Sequence, residues 1–305
     1  MSKQQKRGLH EAFRPRQQRR DARVAMKNHL VSVVIPVFNR AALVCEAASS
    51  VLAQDFDGFE LIVVDDGSTD STPKDLAKLL APFPNARLVS TQNRGVSAAR
   101  NLGVSLSSGR FAAFLDSDDL WLPQKLSTQV DFFARNPSAV ACQTQETWIR
   151  HGKRVNPKNR HAKPDGDIFL PSLSLCLVSP SAVMIRRDAF LSLGGFDERL
   201  PACEDYDLWL RLGLKHKVFL IDRPLVVKRG GHQDQLSAQP GLDQYRIASL
   251  LNLLEYETLD PTQRARAREV LLQKIKVYAA GCRKRGKLDE AFFYGKVAAR
   301  YSDEV

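Results

Sequence analysis

The sequence predicts an α/β fold: a doubly wound, mainly parallel mixed sheet followed by a C-terminal helical extension. Three observations carry this. Short runs rich in β-branched residues alternate with segments of helical periodicity from Leu30 to Leu115. Acidic clusters stand where those strands end or a helix begins: Asp65, Asp66 and Asp70 in VDDGSTD, Asp116, Asp118 and Asp119 in FLDSDDLW, and Glu204, Asp205 and Asp207 in EDYDLWLR. Beyond about Gly241 the periodicity is helical throughout.

In chain order, VSVVIPVFN from Val31 reads as a buried strand running into a loop near Pro36, and Ala42 to Ala53 as a helix. Glu60 to Asp65 is a second buried strand, after which Thr72, Pro73 and Asp75 occupy the expected N-cap, N1 and N3 positions of a helix. A strand at Ala86 to Ser90 leads through Asn93–Gly95 to a helix from Val96, and Phe111 to Leu115 is the next strand. The helix that follows has Pro123 near its first turn and stops at Asn136 before Pro137. Ala139 to Thr144 and Ser181 to Ile185 are expected strands, separated by a polar loop or hairpin, His151 to Asp167, near a second substrate. Asp205 to Leu212 reads as a short helix, Val218 to Ile221 as a short strand, and Thr262 to Lys284 and Lys287 to Tyr301 as long helices.

The 305 residues, 44% hydrophobic, can bury a substantial core. The expected units are a basic, disordered arm at 1–29, a folded domain at 30–240 and a helical region at 241–305. The arm carries nine Lys or Arg against two acids, a large part of the formal net charge of +11. Such a segment suits solvated disorder, then anionic lipid headgroups; nucleic acid is not the expected partner. Five cysteines without a CxxC pair indicate neither a zinc knuckle nor a disulfide framework, which fits a reducing cytoplasm. No apolar run is long enough to span a bilayer, and the charged N-terminus lacks a signal-peptide core, so the expectation is neither an integral nor a secreted protein.

Carboxylates two apart at a strand end, Asp116 and Asp118 flanking Ser117, can address a hard divalent cation, Mg²⁺ or Mn²⁺, together with a ribose hydroxyl. They can equally form a solvated turn capping the next helix. Asp65 and Asp66, followed by Gly67, can accept hydrogen bonds from a base and ribose, or shape a loop. Arg94 and Arg100 offer planar forks for a diphosphate, or structural ion pairs. Gly194 and Gly195 allow a tight loop close to a ligand, or equally a plain turn. Glu204 and Asp205 are either first-turn acids favoured by the helix dipole or a general base with its neighbour. His232 completes a metal shell, touches a diphosphate, or is polar surface.

In their order, IPVFNR, VDDGSTD, GVSAARNLG, DSDDLW, GGFDE, EDYDLWLR and GGH resemble the family 2 inverting glycosyltransferases of the A-type, Rossmann-like nucleotide-sugar fold, over roughly Leu30 to Ser237. The resemblance implies that Pro36, Phe38 and Asn39 border the nucleotide, that Asp66 binds the base with Asp65 supporting it, and that Arg100 helps hold the nucleotide. It further implies Asp116 and Ser117 near the ribose, Asp118 as the principal metal carboxylate of a DxD-type motif, and His232 as a second metal ligand. Asp205 matches the catalytic base, with Glu204 and Gly195 on the acceptor side. The implied donor is a nucleotide-diphosphate sugar, with a UDP-sugar expected, and the implied acceptor a glycan or lipid-linked glycan at the inner membrane face in cell-surface glycan assembly. The QxxRW-type signature of processive synthases is missing. Two other readings stay open. A sugar-phosphate nucleotidyltransferase would carry a Gly-rich basic loop after the first strand, where IPVFNRAALV has none, and a non-catalytic module would hold a nucleotide or polyanion on the same fold.

Overall fold

The structure is a computed structural model and describes residues 29–231 and 240–302. Its strands are β1 (Val31–Val37), β2 (Phe59–Asp65), β3 (Ala86–Ser90), β4 (Phe111–Phe114), β5 (Leu120–Trp121), β6 (Ala141–Arg150), β7 (Lys153–Val155), β8 (Val183–Arg186) and β9 (Val218–Gly230). The helices are α1 (Ala41–Leu52), α2 (Thr72–Leu80), α3 (Val96–Ser105), α4 (Lys125–Arg135), α5 (Phe169–Ser172), α6 (Arg187–Ser192), α7 (Glu204–Lys215), α8 (Asp243–Tyr256), α9 (Pro261–Lys284) and α10 (Leu288–Ser302).

One sheet runs β3-β2-β1-β4-β8-β6-β9-β5, with β7 paired to β6. The first four strands are parallel. Beyond β4 the sheet is mixed: β8 is antiparallel to β4 and β6, β9 is parallel to β6, and β5 is antiparallel to β9. Every residue of β1 and β2 is buried, as continuous apolar runs require when helices cover both faces. Val33, Ile35, Leu61 and Val63 face one core with α1, α2 and α4. Val34, Ile62 and Val64 face the other with α3, α6 and α7. That alternation is the double winding the sequence predicts.

Several boundaries differ from expectation. Ser71, not Thr72, is the N-cap of α2; the Thr72 hydroxyl instead accepts from the Arg40 backbone N–H at 3.1 Å, tying two loops together. Pro123 precedes the N-cap Gln124, outside the first turn of α4. The strand expected to end at Ile221 runs on to Gly230, its pairing with β6 resuming past register shifts on both sides of Gln145. Thr144 pairs Ile221, Gln145 pairs Pro224 and Glu146 pairs Val226, so three β9 residues, Asp222, Arg223 and Leu225, have no opposite number. The 151–167 stretch is partly a hairpin, with β7 folding back on β6.

The C-terminal helices are attached through α7. Its Leu208, Trp209 and Leu212 pack on the sheet. Tyr206 and Leu210 pack with α5, α8, α9 and α10 in a third core. Asp260 caps α9 in a complete capping box with Gln263.

Candidate active site

Most of the predicted site residues stand at the carboxyl ends of β1, β2 and β4, where open parallel sheets bind ligands. Asn39 follows β1 with a left-handed φ of 50°. Its Oδ1 accepts from the Thr69 N–H at 2.7 Å and the Asp70 N–H at 3.3 Å, and its own N–H donates to Ser68 Oγ at 2.8 Å. Asn39 thus locks the loop after β1 to the loop after β2, leaving Phe38 45% exposed at the rim. Pro36 is inside β1, buried and opposite Val64. The first acidic pair is buried and turned to the backbone. Asp65 accepts from the Ser68 N–H at 3.1 Å, and Asp66 accepts from the Arg94 and Gly95 N–H groups at 2.9 and 2.8 Å. Gly67 sits between them at φ 80°, where a Cβ would stand 2.8 Å from the Asn93 nitrogen.

Arg100, on α3, joins the second cluster to the third. Its side chain is 5% exposed and bonds Asp116 and Glu204, each at 2.6 Å. Burial opposes its charge, but the two carboxylates outweigh burial and hold it protonated. Glu204 is nonetheless pushed up, since burial and the adjacent Asp205 prevail over Arg100. Arg40 bonds Asp118 at 3.2 Å and donates to Ser117 Oγ at 3.4 Å. Asp119 is turned inward, accepting from Ser181 Oγ at 2.7 Å and the Arg229 N–H at 2.9 Å. Burial pushes it up to about 8, with Lys228 opposing and Asp116 and Asp118 adding to the rise.

Cys203 precedes α7 with φ 61°, a conformation costly for a non-glycine residue. The turn presents Glu204 to Arg100 and leaves Asp205 half-buried. Asp205 accepts from the Tyr206 N–H at 2.7 Å and from the Cys176 thiol at 3.4 Å. Burial and Asp205 together push that thiol well up, so it stays a donor. Asp207 points elsewhere. It pairs with Arg211 at 2.6 Å, and Arg211 also donates to the carbonyls of Gly195, at 2.9 Å, and Leu193. At Gly195, φ 69°, a Cβ would lie 2.6 Å from Asn101 Oδ1, the acceptor of the Phe196 N–H. Gly195 therefore serves the packing of this loop on α3 and α7.

Sequence reasoning missed the charges arriving from β6, β9 and the hairpin. Lys228 is half-buried and donates to Ser179 Oγ at 3.2 Å. Against burial, Glu146, Asp119, Asp116 and Asp205 hold its ammonium charged. Lys163 bonds Glu146 at 3.2 Å, with both side chains buried. Burial opposes the charge on Glu146 too, yet Lys163 and Lys228 keep its carboxyl down at about 2. The same grouping lowers Lys163, because burial and the Lys228 charge exceed its attraction to Glu146. The available signal was Lys163 next to Pro164 in a stretch expected near a substrate; nothing local marked Lys228.

The family model for glycosyl transferase family 2 matches residues 32–194, just over half of the chain. The chain belongs to glycosyl transferase family 2. An uncharacterized glycosyltransferase of Rickettsia felis is 30% identical over 240 residues, 79% of this chain and 39% of that protein. This chain therefore spans well under half the length of that relative. An Escherichia coli relative, UDP-Glc:alpha-D-GlcNAc-diphosphoundecaprenol beta-1,3-glucosyltransferase WfgD, is 32% identical over 190 residues, 61% of this chain and 71% of that one. The crystal structure of Staphylococcus aureus TarS 1-349 in complex with UDP-GlcNAc superposes with a TM-score of 0.66 at 20% identity, covering 81% of this chain and 71% of that one. The fold is accordingly the glycosyltransferase A-type.

In this family 2 glycosyltransferase, the match contains Pro36 through Ser117 and Asp118 but ends before Glu204 and Asp205. His232 lies outside the described residues. Among the described residues no group of three or more His, Cys, Asp or Glu is arranged to hold a metal ion. The Asp116 and Asp118 pair does fit the mode in which one or two carboxylates share Mg²⁺ or Mn²⁺ with substrate phosphates. Both are hard oxygen donors, and each carboxylate is paired with an arginine, Asp116 with Arg100 and Asp118 with Arg40.

Proposed function

We propose that this chain is an inverting glycosyltransferase that moves a sugar from a nucleotide-diphosphate donor to an acceptor hydroxyl. The observation that carries the reading is the pair of 2.6 Å bonds from Arg100 to Asp116 and Glu204, which holds the start of α7 against the end of β4. That contact, next to Asp205 in the chain, supports reading Asp205 as the group beside the donor. On this reading the base and ribose lie along Phe38, Asn39, Asp66 and Asp116, with Asp65 and Asp66 fixing the loops that shape the cleft. Arg100 and Arg40 face the diphosphate. Asp205 takes the acceptor hydroxyl proton as its oxygen attacks the anomeric carbon, the bond from that carbon to the phosphate oxygen breaks, and the nucleoside diphosphate leaves with inversion. A divalent cation held by Asp118 and Asp116, with His232 as a further ligand, would neutralise charge on the leaving diphosphate.

A UDP-sugar donor and a lipid-linked glycan acceptor are the substrate classes we propose, supported by the UDP-GlcNAc in the TarS complex and by the activity for which WfgD is named. The setting would be glycan assembly at the inner membrane face, with the basic 1–29 arm drawn to anionic headgroups. Calorimetric titration with UDP, GDP and dTDP, with and without Mn²⁺, tests the donor side. One nucleotide should bind, more tightly with metal, and Asp118→Ala should abolish the metal effect. Asp205→Asn should lower transfer by about 100-fold or more while leaving donor affinity unchanged; equal loss of both would make Asp205 a donor-binding or structural residue.

A further inference from the structure

The C-terminal hairpin of α9 and α10 carries a second apolar face. Ala291, Tyr294, Val297, Ala298 and Tyr301 of α10 pack inward in the third core. Leu288, Phe292 and Phe293 remain 66%, 66% and 58% exposed, three of the nine large hydrophobic side chains exposed among the described residues. Leu288 and Phe292 are four residues apart and share a helix stripe.

Charge gathers around that face. Residues 281–305 contain six Lys or Arg against Asp289, Glu290, Asp303 and Glu304, a net +2. Glu290 is engaged with its own hairpin, bonded by Lys287 at 2.8 Å and accepting from the Tyr278 hydroxyl at 3.1 Å. Lys296 lies with its ammonium 4.5 Å from the centroid of Phe292, its stem along the apolar stripe. Aromatic and aliphatic side chains ringed by long basic ones match the interface of an anionic bilayer: rings enter the acyl boundary while lysine stems reach back to headgroups. Each well-placed base contributes about 1 kcal/mol near such a surface. An apolar protein partner would need no such ring of positive charge.

We propose that the exposed face of α10, with Leu288, Phe292 and Phe293 at its centre and Lys296 and Arg300 continuing the stripe of Leu288 and Phe292 at four-residue steps, docks on anionic lipid headgroups. This surface lies outside 32–194 and stands independently of the transfer reaction proposed above. It is also distinct from the basic arm, which has charge but little apolar area.

The test is co-sedimentation of the full chain with phosphatidylcholine vesicles, with and without phosphatidylglycerol, comparing wild type, Phe292→Ser/Phe293→Ser and an arm variant, Arg19→Gln/Arg20→Gln. Nucleotide titration and thermal melting of each variant report fold and donor site separately. Wild type should bind the phosphatidylglycerol vesicles, and the double Phe variant should bind them about tenfold more weakly, with melting and nucleotide affinity unchanged. The arm variant should keep the larger share of binding. Equal binding by wild type and the Phe variant would overturn the proposal. So would binding to neither vesicle, or a self-associated wild type that the Phe substitutions render monomeric, which would make the face an interface between copies.

Discussion

In the half of the sheet built from β3, β2, β1 and β4, carboxylates stand at strand ends, where Asp65 and Asp66 are met by backbone N–H groups of neighbouring loops. In the half built from β8, β6, β9 and β5, charged side chains gather along and beside the strands. Lys228, Lys163 and Glu146 sit together, and Lys125 is buried under Trp121, its nitrogen 3.8 Å from the ring centroid, where burial pushes it down to about 7. The first half spends its acids on shaping loops. The second depends on opposite charges matched to one another across distant segments, an arrangement whose integrity rests on every member being present.

Arg100, which ties the end of β4 to the start of α7 through Asp116 and Glu204, carries the largest expected effect. Arg100→Met leaves Asp116 and the buried Glu204 facing each other without their shared cation, so we expect a loss of roughly 3–5 kcal/mol, read as a lowered denaturant midpoint. Asp116→Asn in the same background should recover part of that loss, because one of the two stranded charges is gone.

A smaller effect separates the halves by pH. Glu146 has a folded carboxyl near 2 against an ordinary 4.5, so its ionised form favours the folded state. That contribution is present above pH 4.5 and is lost as pH falls through about 2. Thermal melts from neutral to acid pH should therefore drop more steeply for wild type than for Glu146→Gln in that window. Parallel curves would show that Lys163 and Lys228 do not stabilise the Glu146 carboxylate.

The smallest expected effect is in the loop-shaping half. Asp66→Asn keeps one oxygen for two backbone N–H donors and turns an NH₂ toward the other, a cost of about 1–3 kcal/mol. Amide exchange at Arg94 and Gly95 should quicken while exchange in β6 and β9 is unchanged. Protection lost equally across the whole sheet would mean that the two halves do not differ as described.

The same contrast explains what was legible in the sequence. Strands β1, β2 and β4 and their acidic ends are contiguous signals: an apolar run, a turn, a carboxylate. The pairing of Asp116 with Glu204 through Arg100 spans 104 residues from Arg100 to Glu204, and no local pattern announces it. Asp207 looked like a third member of its cluster because spacing records proximity along the helix, whereas its side chain is held by Arg211 on the next turn. Lys228 was invisible for a different reason. In VVKRG it reads as an outward-facing polar residue, and only the register against β6 says otherwise.

That register has an evolutionary corollary. Side chains alternate along a strand, so the three unmatched residues of β9, an odd number, exchange the inward and outward sets downstream. Phe219, Ile221 and Val226, on either side of the irregularity, thus all pack into the first core, in register with Cys142, Thr144 and Glu146 on β6. The pairing of the later β9 residues is written in a residue count rather than in residue identity. Side chains at 222, 223 and 225 can change while the register is kept, but an insertion or deletion of one residue there would move Val226 out of the first core and Lys228 from its place opposite Trp148.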